Sequence, residues 1–264
     1  MRLRLGTCSF TGAGWKGPFY PPKLRSTEYL TYYASQFDTV EIDSTFYATP
    51  APDTVRAWND RTPAGFTFAL KVPKTITHEA MLVGADAEMN EFLHVLEPLG
   101  EKLGPILIQL PYFSRSIFPD AERFIRHIAP FLDSLPQEIK FALEVRNRTW
   151  IAPALLDALS RRGVALALID HPSMSGPAEL MKQNPVTAGF SYLRWLGDRQ
   201  GIERMTKKWG ETILERDHEL EEWARVSKTL LALGITIFGY ANNHYAGHAP
   251  ATVRSFKKLI EEME

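Results

Sequence analysis

Residues 37–71, FDTVEIDSTFYATPAPDTVRAWNDRTPAGFTFALK, decide the fold. Two short runs within them, Thr39–Asp43 and Phe66–Lys71, are rich in β-forming residues and are bounded by turn or polar residues, which predicts two strands. Between these runs, Pro52–Asp60 repeats apolar side chains at helical spacing. A strand, a helix and a second strand in this order predict a parallel βαβ unit.

The same alternation continues through the whole chain. Six further runs have the composition of strands: Leu3–Thr7, Ile106–Leu110, Phe141–Val145, Val164–Ile169, Ser191–Trp195 and Ile235–Tyr240. Helical patterns fill most of the gaps between them: Ser26–Gln36, Ala87–Glu97, Ala121–Leu132, Ala152–Arg161, Arg216–Leu233 and Ala251–Met263. Eight strands alternating with helices predict an α/β fold, a single TIM-barrel-like (β/α)₈ domain over residues 1–264, close to the roughly 250 residues typical of such barrels. An open doubly wound sheet is the alternative, although no G-x-G-x-x-G motif follows the first strand.

Composition restricts the class of partner. With 30 Lys plus Arg against 31 Asp plus Glu, the formal net charge is -1, so no long-range field favours nucleic acid or an anionic membrane. No apolar stretch approaches the ~20 residues of a membrane span, and the N-terminal MRLRLGTCSF predicts a strand rather than a signal peptide. The one cysteine, Cys8, excludes an intramolecular disulfide and is expected to be a packed side chain. We expect a cytoplasmic protein with a small-molecule, anionic partner; nucleic acid is not indicated, and the sequence leaves the oligomeric state and any cofactor open.

Polar residues fall where the predicted strands end. Six apolar strands finish in side chains that are costly to bury without a partner, and the eighth runs into a polar segment. If the barrel closes, these residues meet at the C-terminal face, where barrel enzymes hold their catalytic groups. They are Glu41, Asp43, Lys71, Gln109, Glu144, Arg146, Asp170, Arg194, Asn242, Asn243 and His244.

The chemistry of these residue types indicates roles. Glu41 and Glu144 form a candidate pair of carboxylates, one a general acid and the other a general base. Lys71 is expected to pair with Glu41, and an amine nucleophile is its alternative role. Arg194, together with the start of the helix after Pro250, is expected to bind an anion, as barrels often do beside strands seven and eight.

Two alternatives stay open for the same residues. Salt bridges alone would plug the end of the barrel, which favours a non-catalytic ligand-binding or adaptor protein. His244 and His248 are four residues apart, so a metal site is a second alternative, although Gly247 and Pro250 predict a loop there. In that case Glu41, Glu144, Asp170 and a loop histidine would serve a divalent-metal nuclease or isomerase.

Two connections are longer than turns. Ser9–Arg25 interleaves glycines, prolines and aromatic residues, and Gly197–Glu215 follows the seventh strand. Long loops on the C-terminal side of a barrel commonly shape its site. Each is therefore a candidate wall or lid, with a mobile surface excursion as the alternative for the second.

Seven ordered motifs resemble the YecE-like family, the domain of unknown function 72. They are GTCSFTGAGWKGPFYP, FDTVEIDSTFYATP, FTFALKVPKTITHE, GPILIQLP, FALEVRNRTW, YLRWLGDR and ANNHYAGHAPAT. The resemblance implies a TIM-barrel-like fold but no activity. The chain departs from the family pattern at Asn147 and at Trp195-Leu196, positions where histidine is common. The resemblance also implies these residues around the mouth: Glu41, Ser44, Tyr47, Lys71, His78, Gln109, Glu144, Arg146, Trp150, Arg194, Asn243, His244 and His248.

Residues and resemblance together favour an enzyme of hydrolase or lyase type. Its expected substrate is a small phosphorylated, nucleotide or sugar-like molecule. Glu41, Glu144 and Lys71 are the predicted catalytic residues. The residues predicted to bind substrate are Tyr47, His78, Gln109, Arg146, Trp150, Arg194, Asn243, His244 and His248.

Overall fold

Eight parallel strands alternate with helices in the computed structural model, which describes residues 2–263. The strands hydrogen-bond in the order β1-β8-β7-β6-β5-β4-β3-β2, which confirms the predicted barrel. All eight predicted strands are present, with ends shifted by a few residues. They are β1 Leu3–Thr7, β2 Thr39–Ile42, β3 Thr67–Lys71, β4 Leu103–Gln109, β5 Phe141–Glu144, β6 Ala165–Asp170, β7 Phe190–Trp195 and β8 Thr236–Ala241.

The helices form the outer layer. The seven predicted helices are present. Three short helices, at Pro177–Met181, Arg199–Met205 and Asn243–Ala246, were not predicted because they are too short to show a periodic pattern. The bounds are α1 Tyr29–Gln36, α2 Pro52–Asp60, α3 Asp86–Leu96, α4 Ala121–Ser134, α5 Pro153–Ser160, α6 Pro177–Met181, α7 Arg199–Met205, α8 Asp217–Ala232, α9 Asn243–Ala246 and α10 Ala249–Glu262. Within residues 2–263, no helix is both long and apolar enough to span a bilayer.

Alternation along each strand divides the core into two layers. Outward side chains such as Phe68, Ile108 and Leu143 pack against the helices. Inward side chains fill the lumen, where small alanines make room for aromatic rings. This inner layer includes Ala69, Leu107, Ala142, Ala165, Ala167, Phe190, Tyr192, Phe238 and Tyr240.

A side chain bridges the junction between β1 and β2. Within the described residues these two neighbours share no ladder of backbone hydrogen bonds. The hydroxyl of Tyr33 on α1 accepts the Thr7 backbone N–H at 2.8 Å and donates to the Thr39 carbonyl at 3.2 Å. A Cβ on Gly6 would lie 1.9 Å from the same carbonyl oxygen, so only glycine permits this approach. The barrel is therefore nearly closed, with a side-chain link in place of one ladder.

Candidate functional site at the mouth of the barrel

Two carboxylates share one guanidinium at the C-terminal end of the lumen. Arg194 on β7 donates from Nη1 to Glu144 Oε2 at 2.6 Å and from Nη2 to Glu41 Oε1 at 2.7 Å. Both glutamates are 0% exposed and Arg194 is 3% exposed. Arg194 therefore ties β2, β5 and β7 together across the barrel, and its two Nη groups are occupied by these glutamates.

Two more side chains extend this network. The Tyr192 hydroxyl donates to Glu41 Oε2 at 2.6 Å, and Arg146 Nη2 lies 2.6 Å from Glu144 Oε1. Burial alone would raise the pKa of Glu144, but the charges of Arg194 and Arg146 lower it below its usual value. Glu144 is therefore ionised at neutral pH, which argues against Glu144 as the acid of the predicted carboxylate pair.

Lys71 pairs with Asp43 and not with Glu41, so the predicted partner was wrong. Its Nζ lies 2.8 Å from Asp43 Oδ1 and 4.2 Å from the centre of the Phe46 ring. Glu41 is already bonded to Arg194 and Tyr192. Asp43 begins a turn just after β2 that brings its carboxylate over the mouth, and its side chain is 37% exposed against 7% for Lys71.

Thr45 fixes the position of Lys71. Its hydroxyl donates to the Lys71 carbonyl at 2.7 Å and accepts the Lys71 backbone N–H at 3.1 Å. The turn Asp43–Phe46 is thereby held against the end of β3. As a result, the Asp43 carboxylate and the Lys71 ammonium are presented together.

Two clefts open above this charged layer and share Asp43, Tyr47, Asn242 and His244 in their linings. One has a volume of about 290 Å³ and the other of about 280 Å³. We call the two together the mouth cavity. Ten of the residues predicted at the mouth line it: Asp43, Ser44, Tyr47, Lys71, Gln109, Arg146, Arg194, Asn242, Asn243 and His244.

Three predicted residues lie elsewhere. His78 packs edge-on to Phe46, with 4.9 Å between ring centres, and its Nδ1 contacts the Thr77 hydroxyl at 2.9 Å. Trp150 stacks on Phe124 at 4.5 Å and lines a different cavity. His248 is buried, with its Nδ1 2.6 Å from the Trp209 carbonyl oxygen.

Asp170 does not join the mouth, contrary to the prediction. It accepts hydrogen bonds from Trp223 Nε1 at 2.8 Å and from the Tyr245 hydroxyl at 3.2 Å. Along β6 the inward positions are Ala165, Ala167 and Ile169, so Asp170 faces the helices. Burial raises the pKa of Asp170, although both donors act against that rise.

The metal ligands predicted for a nuclease or isomerase are not assembled. Residues 2–263 contain no group of three His, Cys, Asp or Glu side chains arranged to hold a cation. His244 Nε2 lies 3.1 Å from Glu203, whereas His248 faces Trp209. The predicted ligand Asp170 points away from Glu41 and Glu144. This set of residues does not fit a divalent metal ion.

The two long connections form one wall of the mouth. The Trp209 backbone N–H donates to the Ala13 carbonyl at 2.8 Å, which joins the second connection to the first. Trp15 is buried, and its Nε1 donates to Asn243 Oδ1 at 3.1 Å. The Ile213 N–H donates to the Ala246 carbonyl at 2.7 Å. Both connections are thus hydrogen-bonded to the segment after β8, which favours a wall over a mobile lid.

His171 lines the mouth cavity and was not predicted. It follows Asp170 directly, so the sequence signal was a second polar residue after the sixth strand. Its Nδ1 accepts the Ser173 backbone N–H at 3.2 Å, which places the proton of the neutral ring on Nε2. Burial, aided by the charge of Arg146, lowers the pKa of His171. A neutral imidazole therefore stands beside Arg146 at neutral pH.

Comparisons with known proteins agree on one family. A family model described as "Protein of unknown function DUF72" matches residues 4–264. The UPF0759 protein YecE of Escherichia coli strain K12 is 36% identical over 146 residues, which are 53% of this chain and 52% of YecE, so the match spans about half of that relative. The UPF0759 protein YunF of Bacillus subtilis strain 168 is 25% identical over 95% of this chain and 93% of its own. A DUF72 family protein from Thermotoga maritima superposes with a TM-score of 0.77 at 25% identity, covering 99% of this chain and 100% of its own.

Proposed function

The chain belongs to the DUF72 family, and from that premise we propose that the barrel mouth is the active site of a hydrolase or lyase for a small phosphorylated, nucleotide or sugar-like molecule. One observation carries the proposal. A layer of three cations and three carboxylates lies under the mouth cavity: Lys71, Arg146 and Arg194 with Glu41, Asp43 and Glu144.

Stability alone does not account for this layer. Buried ion pairs are often no more stabilising than well-packed apolar residues of the same volume. Immediately below, the same lumen is filled with apolar side chains such as Leu107 and Ala142. In barrels of this architecture the C-terminal face holds the catalytic groups, while the fold itself does not specify the reaction. The buried charges therefore support a functional site.

The cations supply the anion-binding part of the site. The Arg146 side chain is 21% exposed and lines the mouth cavity together with Lys71 and Arg194. The Nε atoms of Arg146 and Arg194 are buried and have no hydrogen-bond partner in the described part of the chain. The part of the Arg146 guanidinium that faces the cavity is available to the oxygens of a phosphate or carboxylate, for which arginine geometry is well suited.

Proton transfer is assigned to the groups that face the cavity. Glu41 and Glu144 are fully buried against Arg194, so they position that guanidinium. Asp43 is exposed to the cavity and acts as a carboxylate base, and the Lys71 ammonium 2.8 Å from its Oδ1 keeps it ionised before the proton is taken up. His171 is neutral and presents Nε2–H, so it donates a hydrogen bond to the negative charge that develops on the substrate.

The test measures binding first and turnover second. Isothermal titration with inorganic phosphate and pyrophosphate at low ionic strength is expected to show binding that Arg146→Gln weakens about tenfold or more, as loss of a charge-assisted hydrogen bond predicts. The matched control is Arg161→Gln, because Arg161 is exposed at the end of α5 on the opposite face of the barrel. Equal affinity in the wild-type and Arg146→Gln proteins would refute the anion site.

A non-catalytic binding protein is the second candidate, favoured by the mutual pairing of all six charges. A panel of phosphate monoesters and diesters separates the two. In an enzyme, His171→Ala removes the Nε2–H donor and is expected to lower turnover while phosphate affinity is kept. Binding without turnover across the panel supports the second candidate.

A further inference from the structure

A second, larger cavity adjoins the mouth, and we propose that it holds the remote part of the same substrate, which must carry a planar ring and a second anionic group. We call this cavity of about 630 Å³ the arginine groove. It is lined by the loops after β4, β5 and β6, from Tyr112 to Ala121, from Arg146 to Trp150, and at Pro172 and Ser173. The inference rests on the proposed function and names its substrate class as a nucleoside bisphosphate or a molecule of like shape.

The groove and the mouth cavity meet at Arg146, which lines both of them. Ser173, which bonds the His171 ring, lies at the groove edge. The groove is thus where a ligand bound to Arg146 at the mouth would extend its other end. Cavities of this volume suit a drug-sized or nucleotide-sized molecule.

The groove carries positive charge that the protein does not neutralise. Arg115 and Arg148 line it, are exposed, and make no ion pair within residues 2–263. Asp120 is the carboxylate in the lining, and its Oδ1 already accepts the Arg123 backbone N–H at 2.8 Å as the cap of α4. Two guanidinium groups without an ion-pair partner, beside one carboxylate that is already hydrogen-bonded, are suited to binding a second phosphate.

An exposed ring stands at the edge of the groove. Tyr112 is 67% exposed, which is unusual for a large aromatic side chain, and it lines the groove. An exposed tyrosine face stacks a planar base without regard to the identity of that base. The ring and the arginines are therefore placed to bind different parts of one molecule.

The walls of the groove are rigid without using these side chains. Asn147 accepts the Phe113 backbone N–H at 3.0 Å and donates to the Phe113 carbonyl at 2.8 Å, which locks the β4 and β5 loops together. Trp150 packs on Phe113 and Phe124 beneath them. Tyr112, Arg115 and Arg148 are left out of this packing, so the groove is preformed and its binding groups are free.

The test adds one chemical group at a time. Titration calorimetry on the full chain compares ribose 5-phosphate, adenosine 5′-monophosphate and adenosine 3′,5′-bisphosphate. The base and the second phosphate are each expected to tighten binding about tenfold, as stacking and charge-assisted hydrogen bonds predict.

Variants assign each gain to its residues. Tyr112→Ala is expected to remove the gain from the base, while Tyr112→Phe keeps it because the ring remains. The double change Arg115→Gln with Arg148→Gln is expected to remove the gain from the second phosphate, and Arg161→Gln is the control. All these positions are on the surface, so thermal unfolding is expected to be unchanged.

Failure of the inference differs from failure of the proposed function. If ribose 5-phosphate binds in a manner that depends on Arg146, but the base and second phosphate add nothing or their gains survive these variants, the groove assignment is wrong. If none of the three compounds shows dependence on Arg146, the anion site itself is wrong, and the groove assignment fails with it.

Discussion

Two layers of one lumen differ although the same strands supply both. On β3, β4 and β5 the apolar layer holds Ala69, Leu107 and Ala142, and two residues further β3 and β5 enter the charged layer at Lys71 and Glu144, while β4 presents the polar Gln109 beside it. A step of two residues along a strand is about 6.6 Å, so the apolar layer and the charged layer are only one inward-facing position apart. The apolar layer shows that this lumen can be filled without charges, and the charged layer is therefore the part that calls for a functional explanation.

The largest expected effect is loss of the central cation. Arg194→Met is expected to lower the free energy of unfolding by about 3–5 kcal/mol, because it removes the cation shared by two buried carboxylates and leaves only Tyr192 on Glu41 and Arg146 on Glu144. Urea unfolding followed by circular dichroism measures the change.

The matched variant replaces the whole set. In Glu41→Leu with Glu144→Met and Arg194→Met, no charge of this triad remains, so we expect stability to recover to near the wild-type value while phosphate binding is lost. A triple variant as unstable as Arg194→Met would contradict the view that the charged layer is dispensable for the fold.

A smaller effect is expected in the apolar layer. Leu107 is fully buried in the lumen, and Leu107→Met conserves its volume, so the cost is expected below about 1.5 kcal/mol. Phosphate affinity should be unchanged in the same titration used for Arg146→Gln. A large loss of affinity would show that the two layers are coupled and would break the comparison.

The smallest expected effect is on the pH dependence of stability. Burial lowers the pKa of His171, His244 and His248, so below about pH 6.5 the unfolded chain binds more protons than the folded one. Stability is therefore fully present above that pH and falls as the solution is acidified. The melting temperature should drop between pH 7.5 and 5.5.

The control for the pH effect is a variant at the mouth. His244→Gln removes one of the shifted groups and is expected to flatten the pH profile without lowering the melting temperature at pH 7.5 by as much as Arg194→Met does. An unchanged slope would show that His244 does not contribute.

The strands were predictable from sequence because each carries local information. Composition and flanking turn residues located β1 with the bounds observed, and Pro52–Asp60 was predicted with the bounds of α2. The convergence of Lys71, Arg146 and Arg194 at one cavity follows from the architecture alone. Local pattern plus a closed barrel thus suffices to bring the cations together.

The ion-pair partners of these residues were not predictable from the sequence, because they depend on how far each side chain reaches across the lumen. Glu41 and Asp43 share a face of one strand end, and nothing in the sequence assigns Lys71 to the second of them. Asp170 is different, because strict alternation along β6 would have placed it outside the lumen. His171 lies just beyond β6, where the two-residue alternation no longer applies.

The hydroxyl of Tyr33 has a consequence for behaviour at high protein concentration. Among residues 2–263, β2 forms a backbone hydrogen-bond ladder with β3 alone, so β2 is an edge strand. The unpaired backbone groups on the free side of an edge strand can pair with strands of other molecules. Tyr33 occupies the Thr39 carbonyl, and the close approach of Gly6 excludes any foreign backbone from the gap. Protection against intermolecular sheet extension thus comes from one aromatic residue on α1 and one glycine on β1, instead of the surface lysines or prolines that many edge strands carry.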